Sequence, residues 1–448
     1  MQPVPVTNSY HSKILRLALP NILSNISVPL LGAVDTAIIG RLDGLYYLGA
    51  IAVGSLVFDF IFWGFGFLRM GTTGLVAQAY GASDDQGVQE LLVRVCVVGL
   101  VIGCALILLK TPIGYASLAL IQPSESVYTL AVQYIQIRIW AAPATLLLYG
   151  LNGWFLGMQN ARYPMMVTIV LNLSNLVLNI YFVLVLDWNV VGVAIGSVIA
   201  SYLGLIVALG LFFNNYSNYW TSDGWMAWRQ KSFWAFERWV EWLAVNRDIF
   251  IRTLCLIGTY AYFTTVSARS GDLILATNTV LLQLWYISSY GIDGFAYAAE
   301  SLSGKYWGAR NGNAFKGVVR NTMQWGLGLG VLFTVIYGFL HEELIQLFSP
   351  NQELLVQAKQ VVLYTILAPL VNSICFIWDG VYMGTSTTKP LRNTMLIATF
   401  AVFIPLHFLL EPRCAIHAIW VAMLAFMVFR GVLLSAYAPK TLWSKIPS

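Results

Sequence analysis

Apolar runs of about 20 residues or more recur along the whole chain, and short segments with Pro, Gly or charged residues separate them. A run of this length crosses a hydrocarbon core about 30 Å thick as an α-helix. Several runs are longer, which indicates tilted helices or helices that project from the membrane. The pattern therefore predicts an all-α polytopic membrane protein with twelve spans, numbered in order: 14–40, 47–79, 87–110, 127–157, 163–186, 190–213, 247–269, 273–303, 316–340, 355–385, 389–410 and 414–437.

The distribution of Lys and Arg between the spans predicts the orientation, because short cytoplasmic loops retain these residues. With the N-terminus inside, most Lys and Arg outside the spans fall on the cytoplasmic side, including Lys13, Arg162, Lys231 and Lys440. We therefore expect a multi-pass protein of the bacterial inner membrane with both termini in the cytoplasm.

Two motifs repeat at a common offset of 227 residues. Tyr80-Gly81-Ala82 after span 2 matches Trp307-Gly308-Ala309 after span 8, and Gly153, Gly157 and Arg162 match Gly380, Gly384 and Lys389. The repeat predicts an N-lobe over 1–213 and a C-lobe over 247–448. Six spans is an even number, so the copies should share one orientation, with an axis along the membrane normal and the substrate site between them.

The segment 214–246 divides the halves and is aromatic and mixed in charge. It carries Trp220, Trp225, Trp228, Trp234, Trp239 and Trp242 among basic and acidic residues. A cytoplasmic amphipathic helix at the membrane surface has this composition. A loop with an interfacial aromatic belt has it too, and both interpretations remain open.

Composition agrees with a membrane protein and excludes other classes. Only 10% of residues are charged, 58% are hydrophobic and the mean hydropathy is +0.71, whereas soluble proteins carry about 25% charged residues. The net charge of +5 is dispersed, so nucleic-acid binding is not expected. The five cysteines lack CxxC spacing, so we expect no metal site. No catalytic signature such as HExxH or GxSxG occurs, so we do not expect the chain to be an enzyme or to hold a cofactor.

Asp35 is the most informative single residue. It follows about twenty apolar and small residues in span 1, where an ionised carboxylate costs about 2.5–3.5 kcal/mol, so it marks a functional site by default. The spacing of Asn21, Asn25 and Asp35 places them along one helix face. We predict that Asp35 carries a coupling proton. A carboxyl that only joins helices is the alternative.

Span 5 offers a matching polar stripe, Asn172, Asn175 and Asn179, which we expect to hydrogen-bond Asp35 directly or through water. Pro20 and Pro29 each remove a backbone hydrogen bond from span 1 and are candidate hinges, although prolines in membrane helices also serve packing alone.

Other charges lie inside spans, where charges usually pair with one another or face water. Asp59 is an additional candidate for the Asp35 network. For the remainder a structural ion pair or a helix end is the favoured interpretation, and no functional role is assigned: Arg69, Arg138, Asp293, Glu300 and Asp379.

Several segments resemble the multidrug and toxic compound extrusion (MATE) transporters, particularly the DinF-like branch. They are Leu17-Ala-Leu-Pro20, Val34-Asp35-Thr36, Phe62 to Gly74, Ala77-Gln-Ala-Tyr-Gly81 and Asp293 to Glu300. The resemblance covers both halves. It implies a V-shaped pair of six-helix lobes that export drug-like, often cationic, compounds in exchange for H⁺ or Na⁺.

Carried over by motif, the acidic residue of the family's first helix falls on Asp35, and its helix-five Asn-x-x-x-Asp pair falls on Asn175 and Asn179. An Asn at position 179 removes a carboxylate that Na⁺ would favour. The buried Glu that the NorM branch has in its seventh helix is also missing, because Tyr262 occupies the repeat position of Asp35. The resemblance thus favours H⁺ over Na⁺ as the coupling ion.

We therefore expect a proton-coupled antiporter of small organic compounds, acting as a monomer by alternating access, with substrate in the N-lobe or the interlobe cleft. A Na⁺-coupled exporter and a lipid-linked oligosaccharide flippase are the alternatives within transport. A flippase should line its cleft with several cations for pyrophosphate, yet buried Arg is expected to be sparse, mainly Arg69 and Arg138. A membrane scaffold without transport is the alternative of another class.

Overall fold

The structure is a computed structural model, and it describes residues 8–39, 45–219, 233–414 and 416–446. Within α1 the side chains of 28–39 lie outside the description, as do those of 8–9, 45 and 413–414. The described ranges contain sixteen α-helices: α1 Asn8–Ile39, α2 Leu45–Gly64, α3 Phe67–Gly81, α4 Asp85–Leu108, α5 Lys110–Ile121, α6 Glu125–Arg138, α7 Ala142–Gly157, α8 Arg162–Ile180, α9 Asn189–Asn215, α10 Phe236–Arg269, α11 Asp272–Gly308, α12 Gly312–Phe348, α13 Gln352–Gly384, α14 Thr388–Ile397, α15 Ile404–Cys414 and α16 Ile416–Thr441.

The predicted spans coincide with helices, and the chain is an all-α polytopic membrane protein. Among the described residues, ten helical segments are long and apolar enough to cross a membrane. The other two predicted spans correspond to α1, with 32 residues, and α11, with 37 residues.

The structure also shows breaks that hydropathy does not reveal. Span 2 divides into α2 and α3 at Phe65 and Gly66, where the two glycines Gly64 and Gly66 weaken the helix. Span 4 divides into α6 and α7 through a 3₁₀ turn, Ile139–Ala141, just before Pro143. Two spans contain π-helical turns, Tyr181–Val185 after α8 and Ala398–Phe403 between α14 and α15. Helix α5 was not predicted, since its 12 residues are too few for a span.

The repeated glycine pairs make equivalent contacts in the two halves. A Cβ on Gly153 or Gly380 would lie within 3 Å of the carbonyl oxygen of Arg69 or Ala296, respectively. A Cβ on Gly157 would stand 3.0 Å from the carbonyl oxygen of Thr73, and a Cβ on Gly384 would stand closer still to that of Glu300. These partners are themselves 227 residues apart, so one helix packing recurs at the offset that the sequence repeat predicts.

Contacts group the chain into two compact units. The N-terminal unit comprises the described residues of Leu23–Ala79 and Asp84–Trp242. The C-terminal unit comprises those of Met1–Ile22, Tyr80–Ser83 and Leu243–Ser448. The boundaries 1–213, 214–246 and 247–448 refer to the repeat and stay a prediction. Of the linker, residues 220–232 lie outside the described ranges, and Phe236 onward forms the start of α10.

Each unit has its own apolar core. Phe58, Leu146 and Trp242 are buried in that of the N-terminal unit. Trp285, Phe403 and Trp420 are buried in that of the C-terminal unit. Polar side chains enclosed beside these cores are therefore held by tight packing and need hydrogen-bond partners.

Candidate functional site

The asparagine stripe of α8 forms a hydrogen-bonded cluster inside the N-terminal unit. Asn179 Nδ2 donates to Asn175 Oδ1 at 3.1 Å, and Asn175 Nδ2 donates to Ser197 Oγ of α9 at 2.9 Å. Asn175 and Asn179 are 5% and 1% exposed. Because the side chains lie one helical turn apart, they form a continuous chain of amides from α8 to α9.

The same stripe reaches α1. Asn172 Nδ2 donates to Ser27 Oγ at 2.9 Å, and that hydroxyl donates to the carbonyl of Ser24 at 2.7 Å. Helices α1 and α8 are therefore joined by a direct side-chain hydrogen bond. The sequence analysis had identified the asparagines but neither Ser27 nor Ser197, since serine is common in packed membrane helices.

Gly196 of α9 makes the room in which Asn179 lies. A Cβ at Gly196 would stand 2.5 Å from Asn179 Oδ1, so any larger residue would displace the amide. Gly192 and Gly196 have the GxxxG spacing that is typical of close helix packing. The structure shows that it also accommodates a buried polar group.

The predicted residues of span 1 are placed only in part. Asp35 and Pro29 lie in α1, but their side chains are outside the described residues. The helix is continuous through Pro20 and Pro29, so neither proline breaks it in this conformation. Asn21 is buried in the C-terminal unit, where its Nδ2 donates to the carbonyl of Leu17 at 2.8 Å. Asn25 belongs to the N-terminal unit and is half-buried.

Asp59 of α2 lies in the N-terminal unit, beside a helix that carries a cation. Helix α2 packs mainly on α6, and Asp59 interacts electrostatically with Arg138 there. The Arg138 guanidinium also lies 5.7 Å from the ring centre of Phe58 and 5.9 Å from that of Phe62. Asp59 thus faces a cation, as intramembrane charges usually do. Its membership of the Asp35 network stays a prediction.

In the C-terminal unit, Asp379 of α13 is bound by two arginines. Its Oδ2 accepts from Arg430 of α16 at 2.7 Å and from Arg252 of α10. All three residues are buried, at 5%, 1% and 7% exposure. The carboxylate therefore joins three helices through charged hydrogen bonds, in agreement with the structural ion-pair interpretation.

The expectation that buried Arg is sparse was wrong. Arg94, Arg252 and Arg430 are buried, whereas Arg69 and Arg138, the two residues named from the sequence, are half-buried. Arg252 and Arg430 hold Asp379, while Arg94 lies 4.0 Å from Glu90, which also binds Arg238 at 2.5 Å. These arginines are engaged by carboxylates. The sequence shows these arginines within or next to apolar runs, but it does not show which carboxylates they bind.

Asp293 and Glu300 lie on α11, and Glu300 is 1% exposed. Asp293 is half-buried and lies within electrostatic range of Cys375 and Tyr260. The backbone carbonyl of Glu300 faces Gly384. Glu300 therefore lies in the packed interior of the C-terminal unit, and Asp293 lies half-buried in the same unit.

Comparison with known proteins agrees with this architecture. The MatE family model matches residues 20–181 and 249–410, once in each half. The chain is 39% identical to DNA damage-inducible protein F of Escherichia coli (strain K12) over 423 residues, covering 94% of this chain and 90% of that protein. It is 21% identical to the probable multidrug resistance protein NorM of Thermotoga maritima, covering 97% and 93%.

The fold agrees with a solved structure as well. A mutant of the Vibrio cholerae MATE transporter VcmN superposes with a TM-score of 0.87 at 19% identity, covering 99% of both chains. With a family match in both halves and a DinF relative that aligns over nearly the whole length, the chain is a member of the MATE family of multidrug and toxic compound efflux transporters, and its sequence is of the DinF type.

Proposed function

We propose that this transporter exports small organic compounds, often cationic, in exchange for protons, and that Asp35 is the group that gains and loses the proton. The substrate binds in the N-terminal unit, and the chain works as a monomer of the inner membrane with both termini in the cytoplasm. The observation that carries the proposal is the hydrogen bond from Asn172 to Ser27, which ties the amide stripe of α8 to the helix of Asp35.

That hydrogen bond sets the register of the two helices. Spans 1 and 5 run in the same direction, because an even number of steps separates them. Asn179 lies seven residues beyond Asn172, and the position seven beyond Ser27 is Val34. At a rise of about 1.5 Å per residue, Asp35 and Asn179 therefore lie at nearly the same depth. This supports a meeting of the carboxyl with the buried end of the amide chain.

The amide cluster suits a carboxyl that changes charge. Removal from water disfavours the carboxylate, whereas amide donors and water in a polar pocket favour it. The described members of the cluster, Asn172, Asn175, Asn179, Ser27 and Ser197, are neutral donors and acceptors. No fixed opposite charge among them holds Asp35 permanently ionised.

Protonation then drives the substrate out. A charged Asp35 keeps the pocket hydrated and open to a cationic compound, whereas the neutral acid needs less solvation and lets α1 bend near Pro20 and reduce the pocket. One proton crossing 100 mV provides roughly 2.3 kcal/mol, enough to concentrate a neutral compound about fifty-fold.

Asn179 also favours H⁺ over Na⁺. Hard cations prefer anionic oxygen ligands, and the Asn179 amide is already committed to Asn175 and packed against Gly196. A proton requires only the Asp35 carboxyl.

The test is Asp35→Asn, expressed in a bacterial strain that lacks its own efflux pumps. The variant keeps the side-chain shape but cannot cycle a proton, so we expect a membrane-inserted protein that confers no resistance and no pH-driven efflux. Asp187→Asn is the matched control, because Asp187 lies after the π-helical turn with φ +54°, a conformation that Asn also adopts. Near-normal efflux by Asp35→Asn would rule the mechanism out.

A further inference from the structure

Tyr262 and His407 form a polar pair in the interior of the C-terminal unit. Tyr262 Oη of α10 lies 3.0 Å from His407 Nδ1 of α15. His407 is 2% exposed, and aromatic rings surround the pair: Phe403 at 5.7 Å from the Tyr262 ring and Phe408 at 5.7 Å from the His407 ring. A histidine enclosed in this way is held in one orientation by its hydrogen bond and its packing.

At the sequence offset of 227 residues, Tyr262 corresponds to Asp35, and His407 corresponds to Ile180, the neighbour of Asn179. The second half therefore replaces a carboxyl and an apolar residue by a tyrosine and a histidine. Histidine is the side chain whose ordinary charge change falls between pH 5 and 8.

A pocket adjoins Tyr262. It has a volume of about 280 Å³ and lies between α10 and the π-helical turn Ala398–Phe403, and its wall is mainly apolar with the hydroxyls of Thr259, Tyr262 and Thr399. A water molecule takes about 30 Å³ of liquid, so several fit. Gly258 contributes to the wall without a side chain, and nothing within 4 Å would meet a Cβ there.

The charged groups near the pair are few in the described part of the chain. Glu411 lies one turn beyond His407 on α15, and Arg269 ends α10, seven residues beyond Tyr262. Helix α16 packs on α15, and its ionisable groups have other partners: His417 contacts Tyr364, and Arg430 binds Asp379. Burial of the His407 ring disfavours an imidazolium, whereas the Glu411 carboxylate one turn away favours it.

We propose that His407 and Tyr262 form a second proton-binding site of this transporter, equivalent by duplication to the Asp35 site. The inference rests on the proton-coupled function proposed above. Both residues lie seven positions before the ends of their helices, about 10 Å along the axis, at the side that the predicted topology places outside. The site loads from that side.

Protonation changes the hydrogen bond between the two residues. A neutral imidazole can accept at Nδ1 from the tyrosine hydroxyl, whereas an imidazolium has an N–H on both nitrogens and can only donate. The hydroxyl proton of Tyr262 must then turn to another acceptor in the pocket wall. The charge on His407 is thereby linked to the side chains that shape the pocket between α10 and α15.

The direct test is a histidine titration by NMR of the full-length protein in lipid nanodiscs. The chain has only four histidines, His11, His341, His407 and His417, so nitrogen-15 labelling of histidine gives few signals, and the signal lost in His407→Gln assigns the site. We expect His407 to change from neutral to charged between pH 8 and 5. Tyr262→Phe should move its midpoint by about half a pH unit or more. A His407 ring that stays neutral over this range would overturn the proposal.

The transport test uses proteoliposomes with a pH gradient of one unit, the membrane potential clamped at zero and a fluorescent organic cation that the wild-type protein exports. Each coupled proton then contributes a factor of about ten to the accumulation ratio. We expect about a hundred-fold accumulation for the wild type and about ten-fold for His407→Gln. His417→Gln is the matched control, since its Tyr364 contact is longer, at 3.3 Å, and it should match the wild type.

The two proposals fail separately. If Asp35→Asn abolishes accumulation while His407→Gln equals the wild type, the second site is refuted and the proposed function stands. If Asp35→Asn accumulates substrate as strongly as the wild type, the proposed function itself is refuted, whatever the titration of His407 shows.

Discussion

Asp379 shows how a single residue keeps a charge inside the membrane. It is 5% exposed and receives charged hydrogen bonds from Arg252 and Arg430, which lie on two other helices. Removing one partner of a buried ion pair leaves an uncompensated charge, which is far more costly than the pair itself is stabilising.

We therefore predict that Asp379→Asn destabilises the protein strongly, by about 3–5 kcal/mol, because two buried guanidinium groups lose their counter-charge. The measurement is thermal unfolding in detergent, compared with Glu353→Gln near the exposed start of the same helix. An unfolding midpoint equal to that of the control would show that Asp379 does not hold the helices together.

At the residue scale, the sequence predicted relations within one helix but not the side-chain partners on other helices. Spacing within one helix identified Asn172, Asn175 and Asn179 as one stripe, because helical geometry fixes that relation. It could not pair Arg252 with Asp379, since 127 residues separate them and only the packing of α10 on α13 brings them together. Ser27 and Ser197 were not predicted as hydrogen-bond partners of the asparagines for the same reason.

At the scale of elements, helices α8 and α9 pack tightly against each other, and glycines of α9 allow the close approach. Gly192 approaches Phe182, and Gly196 approaches Asn179. Close approach of membrane helices through small residues is usual, and here it also sets the position of the amide chain that we assign to proton coupling.

Gly196→Ala tests this link between packing and function. Its Cβ would stand 2.5 Å from Asn179 Oδ1, so the amide must move, and we expect pH-driven efflux to fall at least ten-fold while the protein remains folded and inserted. Gly204→Ala on the same helix is the matched control, because its nearest neighbours lie at an ordinary 3.4 Å. Equal efflux by both variants would show that the position of Asn179 is unimportant.

The elements themselves were predicted well, because long apolar runs have one solution in a membrane. The breaks within them were not. The π-helical turn Ala398–Phe403 and the division of span 2 arise from local backbone geometry, and a hydropathy window averages over such features. The π-helical turn forms part of the pocket beside Tyr262, a residue of the second proton-binding site that we propose.

At the scale of the whole molecule, one duplicated unit has diverged in the chemistry of its interior. Asn21 and Asn25 in the first half correspond, at the offset of 227, to Asp248 and Arg252 in the second. Asp248 binds Arg392 at 2.8 Å, and Arg252 binds Asp379. The first half thus carries neutral amides where the second carries ion pairs. A region of neutral polar groups adapts to a changing charge more readily than a fixed ion-pair network does.

This contrast supports our proposal that Asp35, in the first half, is a coupling carboxyl. The identity of the coupling ion is the central claim. The most direct measurement is the ion released or taken up by purified protein in proteoliposomes when substrate is added, in K⁺ medium without Na⁺. We predict substrate-dependent proton movement in the wild type, an unchanged signal when Na⁺ replaces K⁺, and no signal in Asp35→Asn. Transport that requires Na⁺ and moves no protons would contradict the account.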